Sequence, residues 1–280
     1  MYINSFDGTK IWYEISKRNK PTLLFIHGWA NDWTTWKKEI TFFKRKGYST
    51  ITLDLRGHGK SDKPEEKEKY ELECFARDLH EIIENENVDK FVLIGHSLGG
   101  MIALKYYELF NNKKGINGII LCDTTDRNIL EHKEINVISP FIMHVLDFII
   151  AHEHINKKHF KHLKDIDLTK YKHASDCFIF YEGLHNTPMK SVFSCMEAMM
   201  KFDVSATLSK INVPVLIIEG SKDKLLPKID SIQLYREIKS AEIDFIPKGR
   251  HFVNLERPDL VDKYIFNFLE KHNLKVSQQN

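Results

Sequence analysis

Apolar positions recur along this chain with two rhythms. Short continuous apolar runs alternate with longer stretches in which apolar positions return every third or fourth residue. Ile11–Ser16 alternates apolar and polar, as a half-exposed edge strand does. Thr22–Ile26 is uninterrupted, as a strand buried on both faces should be, and it ends in His27-Gly28. A helix is expected over Trp33–Lys46, with Gly47 suited to its C-terminal end. Tyr48–Leu53 predicts a second buried strand, Leu72–Glu86 an amphipathic helix, Phe91–Ile94 a third strand, Leu98–Phe110 a helix and Ile116–Cys122 a fourth strand. The rhythm then stops. Residues 124–205 contain no strand bounded by glycine turns and read as several helices. The alternation resumes with a strand Val213–Ile218, a helix Pro227–Ile238, a strand Ile243–Ile246 and a helix Pro258–Lys271. This order predicts an α/β fold, a mostly parallel sheet with helices on both faces. The core would comprise residues 1–123 and 206–280, with residues 124–205 inserted as a helical segment.

Composition narrows the function classes. A hydrophobic content of 42% over 280 residues is enough to build a packed core. The formal net charge of +2, with lysines interleaved among glutamates, gives no footprint for nucleic acid. Cys74, Cys122, Cys177 and Cys195 form no CxxC pair and no zinc spacing, which points away from a disulfide framework and toward a reducing compartment. The N-terminus lacks the apolar stretch of a signal peptide. Phe141–Ala151 is too short and too polar to span a membrane. The expectation is a cytoplasmic protein acting on a small molecule, with no cofactor.

The chemistry centres on Gly95-His96-Ser97-Leu98-Gly99-Gly100, between a buried strand and a helix. A strand that turns at once into a helix crowds its turn residue, and glycines two before and two after remove the clashing side chains. The serine hydroxyl is then held clear at a helix N-terminus, where developing negative charge is favoured. Serine needs a base. Of fourteen histidines, His251 lies after the last expected strand, in Lys248-Gly249-Arg250-His251-Phe252. Asp223 follows the preceding strand, giving the chain order Ser, Asp, His that this arrangement requires. Asp123, after Ile116–Cys122, is the rival acid. His27, His58 and His96 read as hydrogen-bonded turn histidines. The backbone N–H of Leu98 and that of Trp29 are the expected oxyanion donors, which would set the Trp29 side chain at the acyl pocket.

His27-Gly28, Asp54–Ser61, Gly95–Gly100, Gly220–Asp223 and His251 together resemble the motif set of the α/β-hydrolase superfamily. The likeness is to its capped branch of small carboxylesterases, lactonases and carbon–carbon bond hydrolases. It implies that residues 124–205 form a cap over the site. Epoxide hydrolases and dehalogenases of that branch use an aspartate where this chain has Ser97. Hydroxynitrile lyases carry a lysine after the histidine, where Phe252 stands here.

The inserted segment holds His132, His144, His152, His154, His159, His162, His173 and His185, without a convincing ligand spacing, so no metal is expected. Phe178, Phe180, Phe193, Met196, Met199 and Met200 suit either an acyl pocket or packing of the cap. Phe178 and Met199 are the candidate substrate contacts. The expected reaction is cleavage of a carboxylic ester through an acyl-enzyme on Ser97. A lactonase or carbon–carbon hydrolase on the same residues is the alternative. A non-enzymatic binding module is disfavoured because no member of the Ser, Asp, His set is missing.

Overall fold

The computed structural model describes residues 1–111, 115–128, 168–171 and 175–276. Its strands are β1 (Tyr2–Asn4), β2 (Lys10–Ser16), β3 (Asn19–Ile26), β4 (Tyr48–Leu53), β5 (Phe91–His96), β6 (Ile116–Cys122), β7 (Val215–Gly220) and β8 (Ala241–Ile246). They form one sheet in the order β1-β2-β4-β3-β5-β6-β7-β8. The first two pairings are antiparallel, and every pairing from β4 to β8 is parallel. Helices α1 (Lys37–Arg45), α2 (Leu72–Asn85) and α3 (Leu98–Phe110) make the first three parallel crossovers. Helices α4 (Asp176–Gly183), α5 (Met189–Met200) and α6 (Ser205–Leu208) lie between β6 and β7. Helix α7 (Lys228–Glu237) joins β7 to β8, and α8 (Val253–Glu256) and α9 (Pro258–Lys271) follow.

The uninterrupted apolar runs are explained by a core on each face of the sheet. Successive side chains of a strand point to opposite faces. Leu24 and Ile26 of β3 therefore join one cluster with Leu79 and Ile82 of α2 and Met101 and Ile102 of α3. Leu23 and Phe25 join the other, with Phe43 of α1 and Ile265 and Phe268 of α9. The parallel strands thereby aim their C-terminal ends, and the loops leaving them, at one edge of the sheet.

Several elements differ from the sequence expectation. β2 is not an edge strand: β1 pairs outside it, and Ile11, Trp12 and Tyr13 are buried. Three residues are too few to display a period, so β1 leaves no pattern. Trp33–Trp36 is a separate 3₁₀ turn ahead of α1, because the Asp32 carboxylate caps it by accepting from the Thr34 N–H and hydroxyl. β7 begins at Val215, after Pro214, which has no N–H to give to a ladder.

The chain leaves the sheet after β6 and returns before β7 at one place. Arg127 and Asp203 form an isolated antiparallel bridge, and the Val204 N–H donates to the Asp126 carbonyl at 2.9 Å. Among the described residues no helix is long and apolar enough to cross a membrane. Phe141–Ala151 and the histidines at 132, 144, 152, 154, 159, 162 and 173 lie outside the described residues.

Candidate active site

β5 ends at His96 and α3 begins at Leu98, so the whole turn between them is Ser97. Ser97 has φ 51° and ψ −119°, a conformation an L-residue holds only when its surroundings fix it. Those surroundings are explicit. A methyl group at Gly95 would overlap the Gly99 carbonyl, and one at Gly99 would overlap the Ile26 carbonyl. The Ser97 N–H donates to the Cys122 carbonyl at 2.9 Å. Its own carbonyl accepts from the Gly100 N–H at 2.8 Å and from the Thr124 hydroxyl at 2.7 Å. Leu98 is the first residue of α3, so its N–H has no acceptor within the helix.

His251 and Asp223, set on the loops after β8 and β7, are brought together. His251 Nδ1 stands 2.8 Å from Asp223 Oδ2. The other Asp223 oxygen accepts from the N–H groups of Leu225 and Leu226, at 2.7 and 3.2 Å. The donor Nδ1–H is then committed to Asp223, which leaves Nε2 as the basic nitrogen of the ring. Burial pulls the ring pKa down, but the nearby carboxylates of Asp223, Asp176 and Glu256 outweigh it and raise it above 6.5. The His251 backbone is fixed as well. Its carbonyl accepts from His96 Nε2 at 2.7 Å, and the adjacent Arg250 N–H donates to Glu256 at 2.9 Å.

The structure separates the two candidate acids. Asp123 is wholly buried, and its Oδ1 accepts from the Gly220 N–H at 2.7 Å. Its Oδ2 has no hydrogen-bond partner. Burial, with the charges of Glu219 and Asp223, pushes its pKa well above the carboxylate range. Burial and then Asp223 push Glu219 up to about 9. Glu219 thus holds its proton at neutral pH, and burial disfavours the charged form of Asp123 that would stabilise an imidazolium. The oxygens of Asp123, Glu219 and Asp223 come within 4.8 Å of one another, a spacing a cation could use. Asp223 is bonded to His251 and two amides, Asp123 Oδ1 to the Gly220 N–H and Glu219 Oε2 to the Ser231 hydroxyl at 2.6 Å, while Asp123 Oδ2 and Glu219 Oε1 have no hydrogen-bond partner.

Trp29 lies in the loop after β3, with its indole N–H donating to the Val192 carbonyl of α5 at 3.0 Å. Met199 is buried in the main core beside Cys195, Ala198 and Phe202. Phe178 is 42% exposed on α4, its ring centroid 6.1 Å from that of Tyr181. His27, His58 and His96 are all buried and bonded to backbone. The N–H of Leu55 donates to His27 at 3.0 Å and that of Ala30 to His58 at 3.1 Å. Burial keeps all three neutral, with His58 lowered to about 4 and His96, also opposed by His251, to about 3. The Asp54–Ser61 motif is a scaffold around His58. Asp54 accepts from the N–H groups of Trp33 and Lys60, and Arg56 is buried against Asp78 and Asp7.

Two neighbours of His251 escaped the sequence reading. Asp176, at the start of α4, has a buried Oδ1 with no hydrogen-bond partner and its charge acts on the ring. His96 holds the His251 carbonyl. His96 stands inside the glycine motif and was visible, but its reach to the last loop was not. Nothing near Asp176 in the sequence marks it.

A family model described as the alpha/beta hydrolase fold matches residues 21–148. The chain is 26% identical over 270 residues to a putative non-heme chloroperoxidase of Synechocystis sp., covering 93% of this chain and 95% of that protein. It is 26% identical over 283 residues to epoxide hydrolase 4 of Homo sapiens, covering 92% of this chain and 75% of the relative. Among solved structures, the esterase EaEST from Exiguobacterium antarcticum superposes with a TM-score of 0.76 at 21% identity, over 96% of this chain and 98% of that one. The sheet order and the strained turn after its central strand agree with these matches: the chain has the α/β-hydrolase fold.

Proposed function

We propose that the chain is a serine hydrolase that cleaves a carboxylic ester through an acyl-enzyme on Ser97, with His251 as general base and Asp223 as its supporting acid. The single observation that carries this reading is the His251–Asp223 hydrogen bond, on the same sheet edge as the strained Ser97 turn. Ser97 Oγ attacks the acyl carbonyl while His251 Nε2 takes its proton. The N–H groups of Leu98 and Trp29 hold the oxyanion. His251 then protonates the leaving alcohol and activates water to release the acid. Asp223 keeps Nδ1 protonated throughout and stabilises the imidazolium.

In this reading residues 124–205 are a cap, joined to the sheet through the Arg127–Asp203 bridge. Trp29 and Phe178 would meet the acyl group, with Met199 packed behind them. The relative named an epoxide hydrolase raises a different nucleophile, but the turn position here is Ser97, whose hydroxyl suits acyl transfer. A fluorophosphonate probe, together with p-nitrophenyl esters of graded acyl length, tests the proposal. Labelling and turnover should both vanish in Ser97→Ala with the melting temperature retained. Labelling that survives the substitution rejects Ser97 as nucleophile.

A further inference from the structure

The loop after β3 is gripped from two sides, and one of the two grips comes from the cap. On the cap side the Trp29 indole donates to the Val192 carbonyl at 3.0 Å, and its ring lies 4.9 Å from that of Phe180. Gly183, the last residue of α4, sits directly on the Ala30 peptide, so that a methyl group there would overlap the Ala30 carbonyl oxygen. The Asn186 side chain hydrogen-bonds Asp32. Ala30, Phe180, Leu184 and Val192 form an apolar cluster of their own, apart from the cores on the two sheet faces. On the sheet side the Ala30 N–H donates to His58 Nε2, whose Nδ1–H donates in turn to the Arg56 carbonyl at 2.9 Å. Between the two grips Ala30 is held at φ 51°, a left-handed conformation costly for any residue but glycine.

We infer that Gly183 and the Trp29 indole are positioning residues, through which the cap sets the Trp29 backbone N–H where it serves the oxyanion. The inference rests on the serine-hydrolase reading and deepens it. A loop with a strained residue at its centre relaxes when one grip is lost, and the peptide beside that residue turns with it. An oxyanion donor acts only when aimed at the place where the charge develops, so a small rotation is felt in the transition state more than in the bound substrate. The cap therefore acts on kcat through the loop, in addition to any part it has in substrate choice.

Two variants test this. Trp29→Phe keeps a ring against Phe180 and removes only the indole donor. Gly183→Ala pushes a methyl group into the Ala30 carbonyl. Removing an oxyanion donor outright costs about 10²–10³-fold in kcat, and misaiming one should cost about 10–100-fold with KM changed by less than about threefold. The inhibition constant of a trifluoromethyl ketone that adds to Ser97 should rise by the same factor, since that adduct carries the oxyanion. A non-hydrolysable ether analogue of the substrate, which forms no oxyanion, should bind as it does to the unsubstituted protein. Unchanged kcat and unchanged trifluoromethyl ketone affinity in Trp29→Phe overturn the inference, as does an effect confined to KM. If Gly183→Ala does not fold, Trp29→Phe decides alone. Fluorophosphonate labelling of the unsubstituted protein separates the two levels. Absence of labelling rejects the serine reading itself, whereas labelling with an indifferent Trp29→Phe rejects only the positioning role.

Discussion

Replacing Asp223 by asparagine changes one oxygen into an amide at the atom that meets His251. The 2.8 Å contact between Asp223 Oδ2 and His251 Nδ1 is made by a carboxylate whose other oxygen is held by the N–H groups of Leu225 and Leu226. In Asp223→Asn those two amides fix the side-chain carbonyl, which puts the NH₂ against His251. The ring must then present a lone pair at Nδ1 and carry its proton on Nε2, the wrong tautomer for accepting the Ser97 proton. Loss of the carboxylate in such triads costs up to about 10⁴-fold in kcat, which is about 5.5 kcal/mol of transition-state stabilisation. Asp123→Asn is the matched control. Burial raises its pKa and disfavours the charge, and an asparagine carbonyl can keep the bond from the Gly220 N–H, so the rate should fall less than about tenfold. Initial rates on p-nitrophenyl acetate from pH 5 to 9, with a thermal melt of each protein, make the comparison. If both variants fold and Asp123→Asn is the more impaired, Asp123 is the supporting acid and the assignment of Asp223 is wrong.

If His251 is the general base, as proposed, the acid limb of the rate profile should have its midpoint above pH 6.5, because a histidine base works only when neutral and the His251 pKa is raised; a midpoint at or below 6.5 would refute the electrostatic reading. His58 and His96 have folded pKa values depressed to about 4 and about 3, so the stability they contribute is complete above their unfolded value of 6.5 and is lost as pH falls from there. Each is worth on the order of 3 kcal/mol across that window, and a melting temperature flat from pH 6.5 to 4 would contradict it. Arg56→Ala should destabilise by about 3–5 kcal/mol in urea unfolding, since it strands Asp78, buried and doubly hydrogen-bonded to Arg56. Met199→Ala should lower stability by about 2–5 kcal/mol and shift ester preference toward longer acyl chains; a lower melting temperature with an unchanged chain-length profile would remove Met199 from the pocket.

What could be read from sequence depended on how local its cause was. β4, α3, β6 and α9 have the bounds expected of them, because continuous apolar runs and helical periods record burial on two faces or one. Ser97 was legible because the crowding that demands Gly95 and Gly99 arises within a few residues of it. That Asp223 rather than Asp123 meets His251 was legible only as chain order. The physical distinction between them, a carboxyl whose pKa is raised by burial beside Glu219, exists only once β6 and β7 pair. α8 is a single turn between His251 and Pro258, too short to show a period. The contacts of Trp29 with Val192 and of His96 with the His251 carbonyl join residues more than a hundred positions apart, and no local pattern anticipates such a meeting.

The bridge between Arg127 and Asp203 has a consequence for how this protein can change over time. Asp126 and Val204 are hydrogen-bonded neighbours, so a segment of any length can be spliced between them without altering the distance its ends must span. Doubling the length of such a segment costs only about 0.6 kcal/mol in closure entropy. A different inserted segment can therefore be carried at this seam with the sheet beneath unchanged. The graft that succeeds must still offer the loop after β3 a small residue to lie against and a carbonyl to receive an indole.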